Sequence, residues 1–302
     1  MKNNYPHPNQ KKVRMGHPES WMEKEMRRLC GVVLIVFALM AGACAEQSAA
    51  ANSAGLPDAA ELFRRLEANQ KEIEERRKNY ICDFNEETQK LDSGNGVKKS
   101  EVKGYEMFFV AGSPIVRMVS KEGRALSEDE TRKENERVEK EIRKAKERAE
   151  KRERDEADKD TLTVEQFLRG SRFHNGRYAD YKGRRLLAYD FDPNPDYKPR
   201  TRAETLVSKL GGTVWIDPDA LQVARLEARL VGTFKVAGGL FGSVHEGSDL
   251  VLAQERVNDE LWMPSYVDFN VDARVLLVKG VHERIIDKFS NYRKFRVETR
   301  IQ

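Results

Sequence analysis

Five histidines, three cysteines and a dense set of carboxylates are the residues of this 302-residue chain that could do chemistry. His7, His17, His174, His245 and His282 are far apart in sequence. His245-Glu246 and His282-Glu283 begin like a zinc-protease helix, in which a second histidine stands four residues after the first. Asp249 and Ile286 stand there instead, so neither pair completes a metal site. Asp190, Asp192, Asn194 and Asp196 alternate like the start of a calcium loop. Such a loop needs glycine at its sharp turn and a bidentate glutamate at its end. Pro195 and Thr201 occupy those places, and a strand running into a proline-rich turn explains the acids. There is no G-x-S-x-G elbow, phosphate-binding loop or G-x-G-x-x-G turn. No metal, cofactor or catalytic residue is expected, and the chain is not expected to be an enzyme.

The unusual segment is Val231 to Gly247, VGTFKVAGGLFGSVHEG. It mixes Gly232, Gly238, Gly239, Gly242 and Gly247 with Phe234, Val236, Leu240 and Phe241. Glycines give hinge freedom and the apolar side chains give contact, so Phe234, Val236, Leu240 and Phe241 are candidates for a flap over a ligand. Two bent strands with glycine at the bends would leave the same pattern.

The elements that would position this segment are mostly strands. A capping box, Asp58 with Glu61, opens a helix whose Ala59, Leu62, Phe63, Leu66 and Ile73 share a face and which ends near Lys78. Three extended runs follow to Glu122, with turns at 93–96 and 111–114. In residues 128–160, 26 of the 33 side chains are charged, behind a capping box at Ser127 to Glu130. Val138, Ile142, Ala145 and Ala149 form its narrow apolar seam. It reads as a solvated charged helical insertion, with a partner-binding helix as the other reading. A short boxed helix is expected after Thr163, and a third from Thr201 to Gly211-Gly212. Between them Gly170, Gly176 and Gly183 suggest turns, before the strand RLLAYDFD. In QVARLEARL, apolar and charged residues alternate, as in an antiparallel sheet wet on one side. The runs SDLVLAQERV, ELWMPSYVDFN, ARVLLVKGVHERIID and YRKFRVETRI continue the β signal. About nine strands and few helices predict an α+β fold, a large curved antiparallel sheet packed against helices.

The net charge of +4 resides in residues 1–45, and residues 46–302 are neutral. A phosphate-tracking surface needs net basic character, so nucleic acid is excluded as a partner. Arg27-Arg28 precedes LCGVVLIVFALMAGA, which is short for a membrane span and suits a signal peptide. Cleavage after Ala45 would leave Glu46 first, and Met22 or Met26 could be the start codon. An uncleaved N-terminal anchor is the other reading of the run. Ala41-Gly42-Ala43-Cys44 resembles a lipobox, with Ala41 where leucine is usual, so Cys44 is a candidate lipidation site. Cys30 lies inside the signal, and Cys82 reads as a small buried hydrophobe. The expected organisation is an N-terminal extension and signal peptide over 1–45, a linker over 46–56, and one β-rich domain over 57–302 carrying the insertion.

The strand–turn–strand GTVWIDPDALQVARLEARL, behind an export signal and a leading helix, resembles the superfamily of bacterial outer-membrane lipoprotein carriers and their receptors (LolA/LolB-like). The resemblance covers 57–302 in outline and is most specific over Thr213 to Leu230. It implies an incomplete β-barrel around helices, with acyl chains held in an apolar cavity. The charged insertion departs from it, and no ligand residue carries over. The expected function is therefore non-covalent binding of a lipid or lipoprotein acyl chain in the periplasm, or at the outer membrane if Cys44 is lipidated. The alternative is a structural or interaction protein of the envelope, meeting a partner through residues 128–160.

Overall fold

The computed structural model describes residues 56–151, 164–236, 242–275 and 279–295. The expected signal peptide, Cys44, most of the expected linker, Leu240, Phe241 and the 296–302 end of the last expected strand lie outside them. Four helices are present among the described residues: α1 (Ala59–Arg77), α2 (Glu128–Lys151), α3 (Val164–Gly170) and α4 (Arg202–Val207). The strands are β1 (Tyr80–Leu91), β2 (Val97–Val110), β3 (Ser113–Lys121), β4 (Arg124–Ala125), β5 (Ser171–Tyr181), β6 (Arg184–Pro193), β7 (Leu210–Asp217), β8 (Gln222–Leu230), β9 (Phe234–Val236), β10 (Gly242–Val244), β11 (Asp249–Val257), β12 (Leu261–Val275) and β13 (Lys279–Lys294).

All thirteen strands belong to one antiparallel sheet, in the order β4-β3-β2-β1-β13-β12-β11-β8-β7-β6-β5. The hairpin β9–β10 hangs on β12 through β10. The sheet is open, with β4 and β5 at its ends. This is the expected α+β class. Its strand count exceeds the expected nine, and two differences have local causes. Residues 171–181 form β5 rather than turns, because a register shift between His174 and Arg177 breaks the alternation. Helix α4 stops at Val207, and Gly211-Gly212 lie in β7. A Cβ on Gly212 would sit 1.9 Å from the Glu227 carbonyl, so this glycine permits close strand pairing rather than ending a helix.

One face of the sheet is filled by helices. Asp58 caps α1 by accepting the Glu61 N–H. Leu62, Phe63 and Leu66 of α1 are 1–2% exposed and pack with Phe84, Tyr105, Tyr189, Val214, Leu226, Val267 and Phe289 of the sheet. Phe167 of α3 and Val207 of α4 join the same core. Each such buried side chain contributes about 1.5–3 kcal/mol.

Helix α2 lies on the opposite face, at the β3 end. Val138, Ile142 and Ala145 of its seam pack on Phe108, Val110 and Ile115. Glu134 accepts the Met118 N–H at 2.7 Å, and Arg137 donates to the Val116 carbonyl. Strand β4 pairs only with Ser120 and Lys121, so these side chains satisfy part of the β3 edge that no strand covers. The seam is thus occupied within the chain, and the outward face of α2 is charged and exposed. Residues 152–160 of the insertion lie outside the described residues.

Candidate functional site

Strand β12 runs the length of the interior, and its two ends are built differently. The end at Leu261 is locked by polar contacts. Trp262 is fully buried, donates its indole N–H to Asp217 at 2.9 Å and stacks on Tyr181. Asp217 also accepts the backbone N–H groups of Asp219 and Ala220 and the Arg184 Nε–H. Burial alone would raise the Asp217 pKa, but these donors outweigh it and hold the carboxyl below its usual value. This is the aspartate of the IDPDA turn, so the stretch that carries the family resemblance serves here as a clamp. Arg77, at the end of α1, donates to Gln254 Oε1 at 3.2 Å and to the Trp262 carbonyl at 2.8 Å. Burial lowers its pKa to about 10. Gln254 in turn donates to the Val223 carbonyl. Tyr292 donates to the Pro264 carbonyl at 2.6 Å. Cys82 is 1% exposed, and burial pushes its thiol up to about 12, which makes it an inert core residue.

At the far end of β12 the polar contacts, Asp268 with Arg284, Asn270 with Asp249 and Asp272 with His245, belong to one parity of the strand, and the other parity is apolar. Phe269, Val271 and Ala273 alternate on the same face as Val267, which touches the helix-filled core. On β13, Ile285 and Val281 stand opposite Phe269 and Ala273. With Val244 of β10 these residues form an apolar cluster that contains no helix residue. The strip from the Phe269–Ile285 pair to the Ala273–Val281 pair is about 13 Å long at strand rise. Two buried acids lie in the same row, Glu283 opposite Val271 and Asp287 opposite Val267. They place carboxylates beside the apolar surface. The surface can therefore take an aliphatic chain, and the acids can accept hydrogen bonds from a polar group attached to it.

Two of the flap candidates, Phe234 and Val236, lie on the hairpin that borders this strip. Hairpin β9–β10 pairs with Ala273 to Val275, beyond the last β11 pair at Asp249–Asn270. Phe234 faces Val244 and is 4% exposed, so it anchors the base of the hairpin. Val236 pairs with Gly242 at the last described step before the tip. Leu240 and Phe241 belong to the tip, outside the described residues. Sequence reasoning passed over Phe269, Val271, Ala273, Val281 and Ile285. Their alternation is visible, but it does not say which face looks inward.

The acids that resembled a calcium loop are spread along β6 and the turn after it. Asp190 meets Thr213 and Arg177, Asp192 meets His174, and Asp196 meets Arg172. Surface depressions among the described residues lie away from the strip. One, about 480 Å³, lies along Leu126, Glu128, Arg132 and Glu136 of the α2 region. Another, about 370 Å³, lies among Asn69, Arg76, Arg184, Asp219 and Arg256. Both are lined largely by polar and charged side chains, unlike the strip. No described helix is long and apolar enough to cross a membrane.

No family model and no curated protein matches the chain. Among solved structures it is similar to a DUF1329 family protein from Desulfovibrio piger ATCC 29098, at 9% identity and a TM-score of 0.28, over 80% of this chain and 92% of that one. It is also similar to MucB in complex with MucA(peri), at 8% identity and a TM-score of 0.22, over 80% of this chain and 100% of that one. Likeness at these scores carries no argument about function.

Proposed function

We propose that this is an exported cell-envelope protein that holds a lipid or lipoprotein acyl chain non-covalently on the inner face of its open sheet. The observation that carries the reading is the apolar strip of Phe269, Val271, Ala273, Val281 and Ile285, which no described helix residue joins. Elsewhere on that face α1, α3 and α4 supply buried core residues. Burial of an acyl chain contributes about 0.8 kcal/mol per methylene, so such a surface binds without catalytic groups. The side chains of the strip are largely shielded from water, so loading requires an opening movement. The glycine-rich hairpin beside it is the element suited to make that movement. The signal-like N-terminus supports a periplasmic location, with outer-membrane anchoring if Cys44 is lipidated. The mass of the mature protein separates the two.

Native mass spectrometry after mild purification, with titration of a fluorescent fatty acid, tests the reading. Co-purified lipid and saturable binding, weakened by Ile285→Ala, are expected. No lipid and no binding would reject it.

The alternative is an envelope interaction protein that works through the charged helix. It rests on the exposed outer face of α2, since the seam is already used. Deleting the helix would also uncover the β3 edge. Charge reversal at Arg143, Lys144 and Lys146 is the cleaner test, and a partner retained by that variant would rule out this face.

A further inference from the structure

The outer side of the same hairpin carries a second constellation. Ser243 Oγ lies 3.3 Å from His245 Nε2, and His245 Nδ1 lies 3.1 Å from Asp272 Oδ1. Each ring nitrogen thus has the partner that a serine nucleophile requires. In the tautomer with the proton on Nδ1, that N–H donates to the Asp272 carboxylate and Nε2 is left to take the hydroxyl proton. Backbone bonds fix the arrangement. The His245 N–H donates to the Asp272 carbonyl at 2.7 Å, and the Asp272 N–H donates to Ser248 Oγ at 3.1 Å. Ser243 stands directly between Lys235 on β9 and Arg274 on β12 in the strand register. Directly paired residues share a face, so two cations flank the hydroxyl where negative charge would develop on an attacked carbonyl. Lys235 and Arg274 are both exposed, so a substrate reaches the site from solvent.

We propose that Ser243, His245 and Asp272 form a hydrolytic site for carboxylic esters that carry an anionic group near the carbonyl. Ser243 Oγ bonds to the carbonyl carbon while its proton passes to His245 Nε2. The carbon–oxygen bond to the alcohol then breaks, and the alcohol leaves with that proton. Water attacks the acyl-serine and gives a proton to Nε2. The acyl–Oγ bond breaks, and the proton returns to Oγ. The sum is ester plus water to carboxylic acid plus alcohol. Lys235 and Arg274 stabilise the oxyanion and favour an acidic acyl group. The acyl-chain site lies on the other face of the same hairpin, and the proposal runs against the expectation from sequence that the chain is not an enzyme.

The test uses the full mature protein, a fluorophosphonate probe, and the p-nitrophenyl esters of succinate (the half-ester) and butyrate. A probe adduct on the Ser243 peptide is expected, as is faster hydrolysis of the half-ester. Ser243→Ala and His245→Ala should each lower hydrolysis by roughly 100-fold. Circular dichroism of the variants confirms folding. The paired Lys235→Ala and Arg274→Ala changes should remove the preference for the half-ester. The absence of any adduct on the wild type, or hydrolysis unchanged in Ser243→Ala, would overturn the proposal.

Discussion

The two ends of β12 are made of similar residues to opposite effect. At the Leu261 end the apolar packing of Leu261 and Met263 is flanked by tied side chains: Trp262 by Asp217 and Tyr181, Arg77 by Gln254, Tyr292 by a carbonyl. At the Val275 end, Phe269, Val271 and Ala273 meet only other strand residues in their cluster. Polar networks that are satisfied make a packing unique, because any rearrangement strands a buried donor. Apolar contacts alone impose no such register. The Leu261 end is therefore tied to one packing, while the apolar strip at the other end can exchange one apolar partner for another, with Asp268, Asn270 and Asp272 of the opposite face holding the strand.

The largest expected effect is at the lock. Trp262→Ala removes a fully buried indole and leaves Asp217 without one donor, which should cost about 3–5 kcal/mol in urea unfolding. Fatty-acid binding by the protein that remains folded should be unchanged. Phe269→Ala should cost only about 1–2 kcal/mol, since the ring is half-buried, while weakening probe affinity by about tenfold. Equal destabilisation by the two changes would show that the strip is ordinary core and would erase the contrast.

A smaller effect is expected with acid. The Asp217 carboxyl is held below its usual pKa in the fold, so its contribution is complete above the unfolded value near ~3.9 and is lost as pH falls through the lower folded value. Thermal melts should lose stability below about pH 4, and Asp217→Asn should flatten that limb. An unchanged acid limb in the variant would move the sensitivity to other carboxylates. The smallest effect is none at all. Cys82, with its thiol at about 12, should resist iodoacetamide at pH 8 in the native state and react on unfolding. Fast native labelling would mean that the locked end opens.

Much of this was legible locally. The capping boxes at Asp58 and Thr201 mark real helix starts, and Val138, Ile142 and Ala145 do form a buried seam. What the seam covers was not legible, because β3 becomes an edge only once β1 has paired with β13. The run ARVLLVKGVHERIID looks continuous but supplies parts of both β12 and β13. The strip was hidden for a related reason. Residues of one parity on β12 face inward only because Val267 meets the helices and the register carries that choice along the strand. The Ser243 relay was invisible because Asp272 comes from another strand, 27 residues away from His245.

The pairing of β1 with β13 also sets an order of events. Tyr80 lies opposite Lys294, so the first and last strands of the domain are neighbours. A chain emerging from its N-terminus can complete β1 to β4, and α2 can cover their outer edge, while most of the protein is still unmade. The other side of β1 must wait, unpaired, until the final strand arrives. Closing so long a loop is slow, and an unsatisfied strand edge invites foreign pairing in the meantime. The inner edge of β1 is therefore the part of this fold most exposed to foreign pairing until β13 reaches it.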